Sequence, residues 1–183
     1  MRRYMDAIKP VKGNIIVSCD LLQKEEALIG NNLLKTGKNY NENFRERNPV
    51  VACVERGNKD FHEGTYIICN YNYFDLESPF EITKNLYSIP VNEEIYAIVD
   101  EDGNLIPVCG NVLVKRKEIE NYIDLPEELK KNWVNQGIAL TGTFKDDLIF
   151  WLPYSDYEIV YQWNGEERRA IKIYEKEITG YLK

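Results

Sequence analysis

Glu94-Ile95-Tyr96-Ala97-Ile98-Val99 is echoed 83 residues later by Glu177-Ile178-Thr179-Gly180-Tyr181-Leu182. Each is a short apolar run behind a glutamate, the composition of a half-buried strand. Two more echoes follow in the same order. Gly13-Asn14-Ile15-Ile16-Val17 returns as Gly110-Asn111-Val112-Leu113-Val114, an offset of 97. Phe61-His62-Glu63-Gly64-Thr65-Tyr66-Ile67 returns as Phe144-Lys145-Asp146-Asp147-Leu148-Ile149-Phe150, an offset of 83. Two segments sharing one offset, with a larger offset before them, are what a tandem duplication leaves when an early loop is shorter in the second copy. The sequence therefore predicts a mainly β chain with a first unit over 9–102 and a more diverged second unit over 103–183.

Outward from those echoes, strand-like runs bounded by turn residues recur: Asn14–Ser18, Pro49–Val54, Gly64–Cys69, Asn85–Ile89 and Ile95–Val99. Glu101-Asp102-Gly103-Asn104 then breaks the pattern with turn chemistry. One stretch departs from the β reading. Asp124 to Trp133 opens with Leu125-Pro126, carries acids in its first turn and bases in its last, and spaces Leu125, Leu129 and Trp133 along one helical face. A short helix is predicted there, inside the second unit.

Composition bounds the function. The chain has 183 residues, 44 % hydrophobic and 29 % charged, which suits a globular protein with a real core. Its net charge of −7 repels phosphate backbones, so nucleic acid is not the expected partner, and Arg2-Arg3 and Lys115-Arg116-Lys117 are too short to reverse that. No run of 18 apolar residues exists to span a membrane, and Met1 to Asn14 lacks the apolar core of a secretory signal. Cys19, Cys53, Cys69 and Cys109 show no zinc-ligand spacing, and the first three sit in strand-like runs where a thiol behaves as a small hydrophobe. Reduced thiols and a cytoplasmic location are the expectation.

Little in the sequence resembles a catalytic site. His62 is the only histidine and lies in a polar turn beside Glu63. Phosphate-binding loops, metallohydrolase motifs and nucleophile elbows are absent. The pairs Glu25-Glu26, Glu93-Glu94, Asp146-Asp147 and Glu166-Glu167 fall at turns or strand edges, where solvated charge is the default. The expectation is a non-enzyme without cofactor or metal. Two aromatic groups, Tyr66, Tyr71, Tyr73 and Phe74, then Phe150, Trp151, Tyr154, Tyr157, Tyr161 and Trp163, are expected to fill the two units and the seam between them.

The order of segments resembles the GroES, or chaperonin-10, family over about residues 9–100, and more weakly over 104–183. A proline-led strand spans Pro10 to Ser18. A long polar loop, 21–48, holds a glycine-flanked aliphatic stretch, Gly30-Asn31-Asn32-Leu33-Leu34-Lys35-Thr36-Gly37. A strand follows at Pro49 to Gly57, then Glu63-Gly64-Thr65-Tyr66-Ile67 in place of the family's V-G-D-x-V. Asn92-Glu93-Glu94-Ile95-Tyr96-Ala97-Ile98-Val99 matches the closing E-x-D-I-L-A-I-V most closely. Only Gly57 to His62 stands where many members insert a roof hairpin, as in the phage-encoded co-chaperonins that enlarge the folding chamber for a capsid protein.

That resemblance implies two tandem irregular β-barrels and a co-chaperonin that caps a group I chaperonin ring as a homo-oligomer, itself ring-shaped. It implies that Asn32, Leu33 and Leu34 bind the chaperonin, with Leu28-Ile29 as a competing contact. A host cytoplasm would be the location if the chain is phage-encoded. The second loop, Glu118 to Gln136, has no glycine-flanked triplet, so the second unit is expected to be structural or to dock. Zinc-dependent dehydrogenases also carry a GroES-like domain, but their ligand residues are missing. The alternative function is a virion or decoration protein that reuses the barrel.

Overall fold

A computed structural model describes residues 8–19, 49–74, 78–117 and 135–183 in full, and the backbone pairing of 26–29, 32–35, 40–41 and 46–47. In chain order the strands are β1 (Asn14–Ser18), β2 (Glu26–Ile29), β3 (Asn32–Lys35), β4 (Tyr40–Asn41), β5 (Glu46–Arg47), β6 (Val50–Arg56), β7 (Tyr66–Cys69), β8 (Glu81–Thr83) and β9 (Leu86–Pro90). There follow β10 (Ile95–Val99), β11 (Leu105–Pro107), β12 (Asn111–Arg116), β13 (Gln136–Ala139), β14 (Leu148–Trp151), β15 (Tyr157–Trp163), β16 (Glu166–Tyr174) and β17 (Ile178–Leu182). Short 3-10 turns at Tyr71–Tyr73 and Glu175–Glu177 complete the described elements. The helix expected over 124–133 lies outside the described residues.

The protein is mainly β, built on two antiparallel sheets. The first runs β11-β10-β7-β6-β1-β9-β8 and the second β15-β16-β12-β13-β14-β17. Read from its other edge, the second sheet is β17-β14-β13-β12-β16-β15. That order is the first sheet's from β10 to β8, strand for strand. Among the described residues neither sheet closes on itself through hydrogen bonds: β8 and β11 end the first, β15 and β17 the second.

The likeness extends below strand order. In the first sheet Ile95 pairs with Cys69 and Ala97 with Ile68, so Tyr96 is the extra residue of a bulge. In the second, Ile178 pairs with Trp151 and Gly180 with Phe150, which puts the bulge on Thr179, the residue equivalent to Tyr96. Both first strands follow a glycine at positive φ, Gly13 (91°) and Gly110 (78°). Gly13 then accepts from Val91 N–H and Gly110 from Glu175 N–H, so each first strand is tied to its neighbour in the same way.

One echo shifts by a residue. The backbone amides of Gly64 and Asp146 make the same turn contact, to Val54 and Ala139 carbonyls, and both residues sit at positive φ (81° and 71°). Gly64 thus corresponds to Asp146 and Ile67 to Ile149, an offset of 82 and not the 83 read from the sequence. The slip matters because side chains alternate across a strand, and a one-residue error exchanges the buried and exposed sets. Ile67 and Ile149 are both fully buried.

Each sheet has its own core. Ile15 and Val17, Val50, Ala52 and Val54, and Ile67 and Cys69 alternate inward in the first, closed by Phe61, Phe74, Tyr87 and Ile89. Val112, Val114, Ala139, Ile149, Trp151 and Ile173 fill the second. A third cluster joins the two: Ile68, Tyr96 and Val99 on the far face of the first sheet meet Ile159 and Tyr161 of β15. Each such side chain contributes about 1.5–3 kcal/mol when fully buried, so this seam couples the stability of the two sheets.

Candidate functional site

Two places stand out from the packed sheets. One is the insertion between β1 and β6. It carries two short hairpins, β2–β3 and β4–β5, and neither pairs with the two large sheets. In β2–β3 the register sets Leu28 opposite Leu33, Ala27 opposite Leu34 and Ile29 opposite Asn32. The sequence offered Leu33-Leu34 and Leu28-Ile29 as competing contacts. The pairing brings them together as the two arms of one hairpin. Tyr40 and Asn41 pair with Arg47 and Glu46 in the second hairpin, ahead of the return into β6.

The other is the seam. The turn between β10 and β11 plugs into the β15–β16 hairpin. Gly103 sits at φ 82°, and a Cβ there would lie 2.3 Å from the Trp163 ring. Tyr161 Oη donates to the Gly103 carbonyl at 2.7 Å, and Arg168 Nη1 donates to the Asp102 carbonyl at 2.6 Å. Trp163 in turn meets Tyr66 edge-on at 5.3 Å. Below it Lys172, 2 % exposed, places its ammonium 3.5 Å from the Tyr174 ring centre and 4.3 Å from that of Tyr96. Aromatic faces attract a cation electrostatically, which offsets the cost of burying it. Burial raises Tyr96's pKa well above the usual phenol range, with Glu94 adding to the effect.

Asn111 fastens the units at the strand junction. Its side-chain amide nitrogen faces the carbonyls of Val108 (2.9 Å), Glu93 (3.1 Å) and Ile95 (3.2 Å). Three acceptors around one nitrogen fix which end of the amide points inward. A shallow cleft of about 320 Å³ opens beside it, lined by Glu93, Cys109, Gly110, Tyr174, Glu175 and Lys176. Lys176 spans it to Glu93 at 2.8 Å.

His62 is exposed in its turn. Cys19 and Cys69 are buried, while Cys53 and Cys109 are half-buried. The thiols of Cys53, Cys69 and Cys109 are all shifted up, chiefly by burial, which lowers their reactivity. Among the described residues no cluster of three His, Cys, Asp or Glu side chains could hold a metal ion, and no helix is long and apolar enough to cross a membrane. Of the aromatic residues read from the sequence, Tyr73 and Phe74 lie in the first core, Trp151 in the second, and Tyr157, Tyr161 and Trp163 at the seam, while Tyr154 is exposed. No protein-family model matches the chain, and no curated protein is significantly similar to it.

Proposed function

We propose that this chain is a co-chaperonin built from two tandem GroES-like units, which caps a group I chaperonin ring and assists folding of a protein beneath it. The observation that carries the reading is the insertion: a hairpin bearing Leu28, Leu33 and Leu34 that pairs with neither large sheet and lies in the chain between the first two strands of the first unit. An aliphatic segment on a tether can leave its own domain and enter an apolar groove on a partner. Each leucine so buried contributes about 1.5–3 kcal/mol, so one hairpin binds weakly and several copies on one ring bind by avidity. The repeated strand order supports the tandem reading, and the compact turn over 57–65 suits a cap that lacks a roof hairpin. Asn32, Leu33 and Leu34 make the chaperonin contact in this reading, and Leu28 shares it.

Native mass spectrometry with a group I chaperonin, with and without ADP, tests this. Nucleotide-dependent complexes that vanish in Leu33→Asp/Leu34→Asp are expected. Unbound chaperonin under every nucleotide condition would move the protein to a structural role such as a virion component.

A further inference from the structure

Each side of the seam carries a dipeptide that can rearrange through its own backbone. Asn164-Gly165 is the one Asn-Gly in the chain, and Asp102-Gly103 the one Asp-Gly. In both, the glycine amide nitrogen can attack the side-chain carbonyl carbon of the residue before it, because glycine has no side chain to hinder the approach. The five-membered succinimide that forms expels ammonia from asparagine, or water from aspartic acid. Water then opens the ring. Attack at one carbonyl gives aspartate. Attack at the other gives isoaspartate, whose main chain runs through the former side chain and is one methylene longer.

The fold treats the two sites differently. Asp102-Gly103 is held at three points. Gly103 N–H donates to the Asp100 carbonyl at 3.0 Å, and the carbonyls of Asp102 and Gly103 accept from Arg168 and Tyr161 at 2.6 and 2.7 Å. Gly103 is also buried against the Trp163 ring. To cyclise, its nitrogen would have to leave its acceptor and turn in a space already filled.

Asn164-Gly165 stands at the tip of β15–β16, where the ladder ends with Trp163 opposite Glu166. In a two-residue turn with both φ values positive, here 50° and 83°, the closing hydrogen bonds belong to the flanking pair, so the Gly165 amide lies outside the ladder. Both residues are exposed, and nothing lies within 4 Å of the place a Gly165 Cβ would take. Such a tip opens locally at far less free energy than the strands behind it, which brings the nitrogen onto the Asn164 carbonyl carbon.

We infer that Asn164-Gly165 is a self-modifying site, a hydrolytic clock that converts the hairpin tip to isoaspartate while the chain stays folded, and that Asp102-Gly103 is kept inert by its contacts. Water is the only co-reactant. The product reaches the seam through Trp163. An extra methylene in a two-residue turn shifts the pairing that set Trp163 opposite Glu166. The Trp163 ring meets Tyr66 edge-on at 5.3 Å and fills the space over Gly103, so moving it loosens the docked turn. The inference rests on the two turns alone and does not depend on any chaperonin.

The test is peptide mapping by mass spectrometry of the full-length chain held folded in mildly alkaline buffer. Isoaspartate is read by methyl transfer from a protein-isoaspartate methyltransferase. The expected result is the mass gain of an amide turned to acid, with methyl acceptance, both confined to the peptide holding 164–165. The peptide holding 102–103 is expected to accept no methyl groups, and Asn164→Ser to abolish both signals. The aged chain is expected to melt at a lower temperature than the fresh one. Fresh Asn164→Asp, which carries the charge of the product without the longer backbone, is expected to melt close to the fresh chain. A folded chain that stays unmodified, while the urea-unfolded chain gains the acid over the same time, would overturn the inference. Equal isoaspartate at 102–103 would overturn it too. An aged, modified chain that melts with the fresh one would remove the step from the tip to the seam.

Discussion

Gly103 shows how much of the seam hangs on one residue. Its φ of 82° already disfavours a side chain, and the space a Cβ needs is taken by Trp163 and Arg168. Gly103→Ala is expected to lower unfolding free energy by about 2 kcal/mol or more, from left-handed strain plus overpacking. Gly165 is the control: its φ is 83°, but nothing lies within 4 Å. Gly165→Ala carries the backbone term alone, about 1–2 kcal/mol. Equal losses in urea denaturation would refute the docking of the turn on β15–β16. The buried phenols set the alkaline limit. Tyr73 and Tyr87 are pushed up to about 12, chiefly by burial, against about 10 when unfolded. Their raised folded pKa values mean the stability they confer is whole below pH 10 and is lost as pH rises toward 12, where the unfolded chain ionises first. Denaturation midpoints are expected to start falling near pH 8.5, where unfolded thiols ionise ahead of the raised Cys53, Cys69 and Cys109, and to fall further between 10 and 12; a flat profile between 10 and 12 contradicts the burial of these rings.

At the scale of elements, the strands are where the sequence was most readable. The run Glu94–Val99 and its echo Glu177–Leu182 occupy equivalent strands with the same bulge, because Ile, Val and Tyr in short runs have few other places to go. The Phe61–Ile67 echo was misaligned by one residue. Apolar runs look alike at either register, and only the positive φ shared by Gly64 and Asp146 separates them; Asp tolerates that region well enough to replace glycine unseen. The long β15–β16 hairpin does carry a local signal: Asn164-Gly165, at φ 50° and 83°, is the turn pair that joins twisted strands tightly. The hairpin β2–β3 was not expected within the polar loop, since four-residue strands leave almost no periodicity to read. Because it pairs with neither large sheet, Leu33→Asp/Leu34→Asp is expected to leave the thermal midpoint within about 2 °C of wild type, as surface changes of under about 0.5 kcal/mol do. A drop of 10 °C would show that these leucines belong to a core instead of a partner contact.

On the scale of the whole molecule, the repeated strand order was legible and the packing of the two sheets was not. Offsets between echoes carry strand order, whereas the seam depends on contacts such as Tyr161 with Gly103, 58 residues apart, that no local pattern announces. The two aromatic groups are read from the sequence as filling both units and the seam without saying which residue goes where; Tyr157, Tyr161 and Trp163 lie at the seam while Tyr154 is exposed. Asn111, Lys172 and the Gly103 turn fasten the two sheets to each other, while the two hairpins between β1 and β6 pair with neither of them. The most direct test of the co-chaperonin reading is electron microscopy of group I chaperonin rings incubated with this protein and ADP. The account predicts a cap of density on the ring ends, absent with Leu33→Asp/Leu34→Asp. Bare rings, under conditions where an established co-chaperonin caps the same preparation, would contradict it.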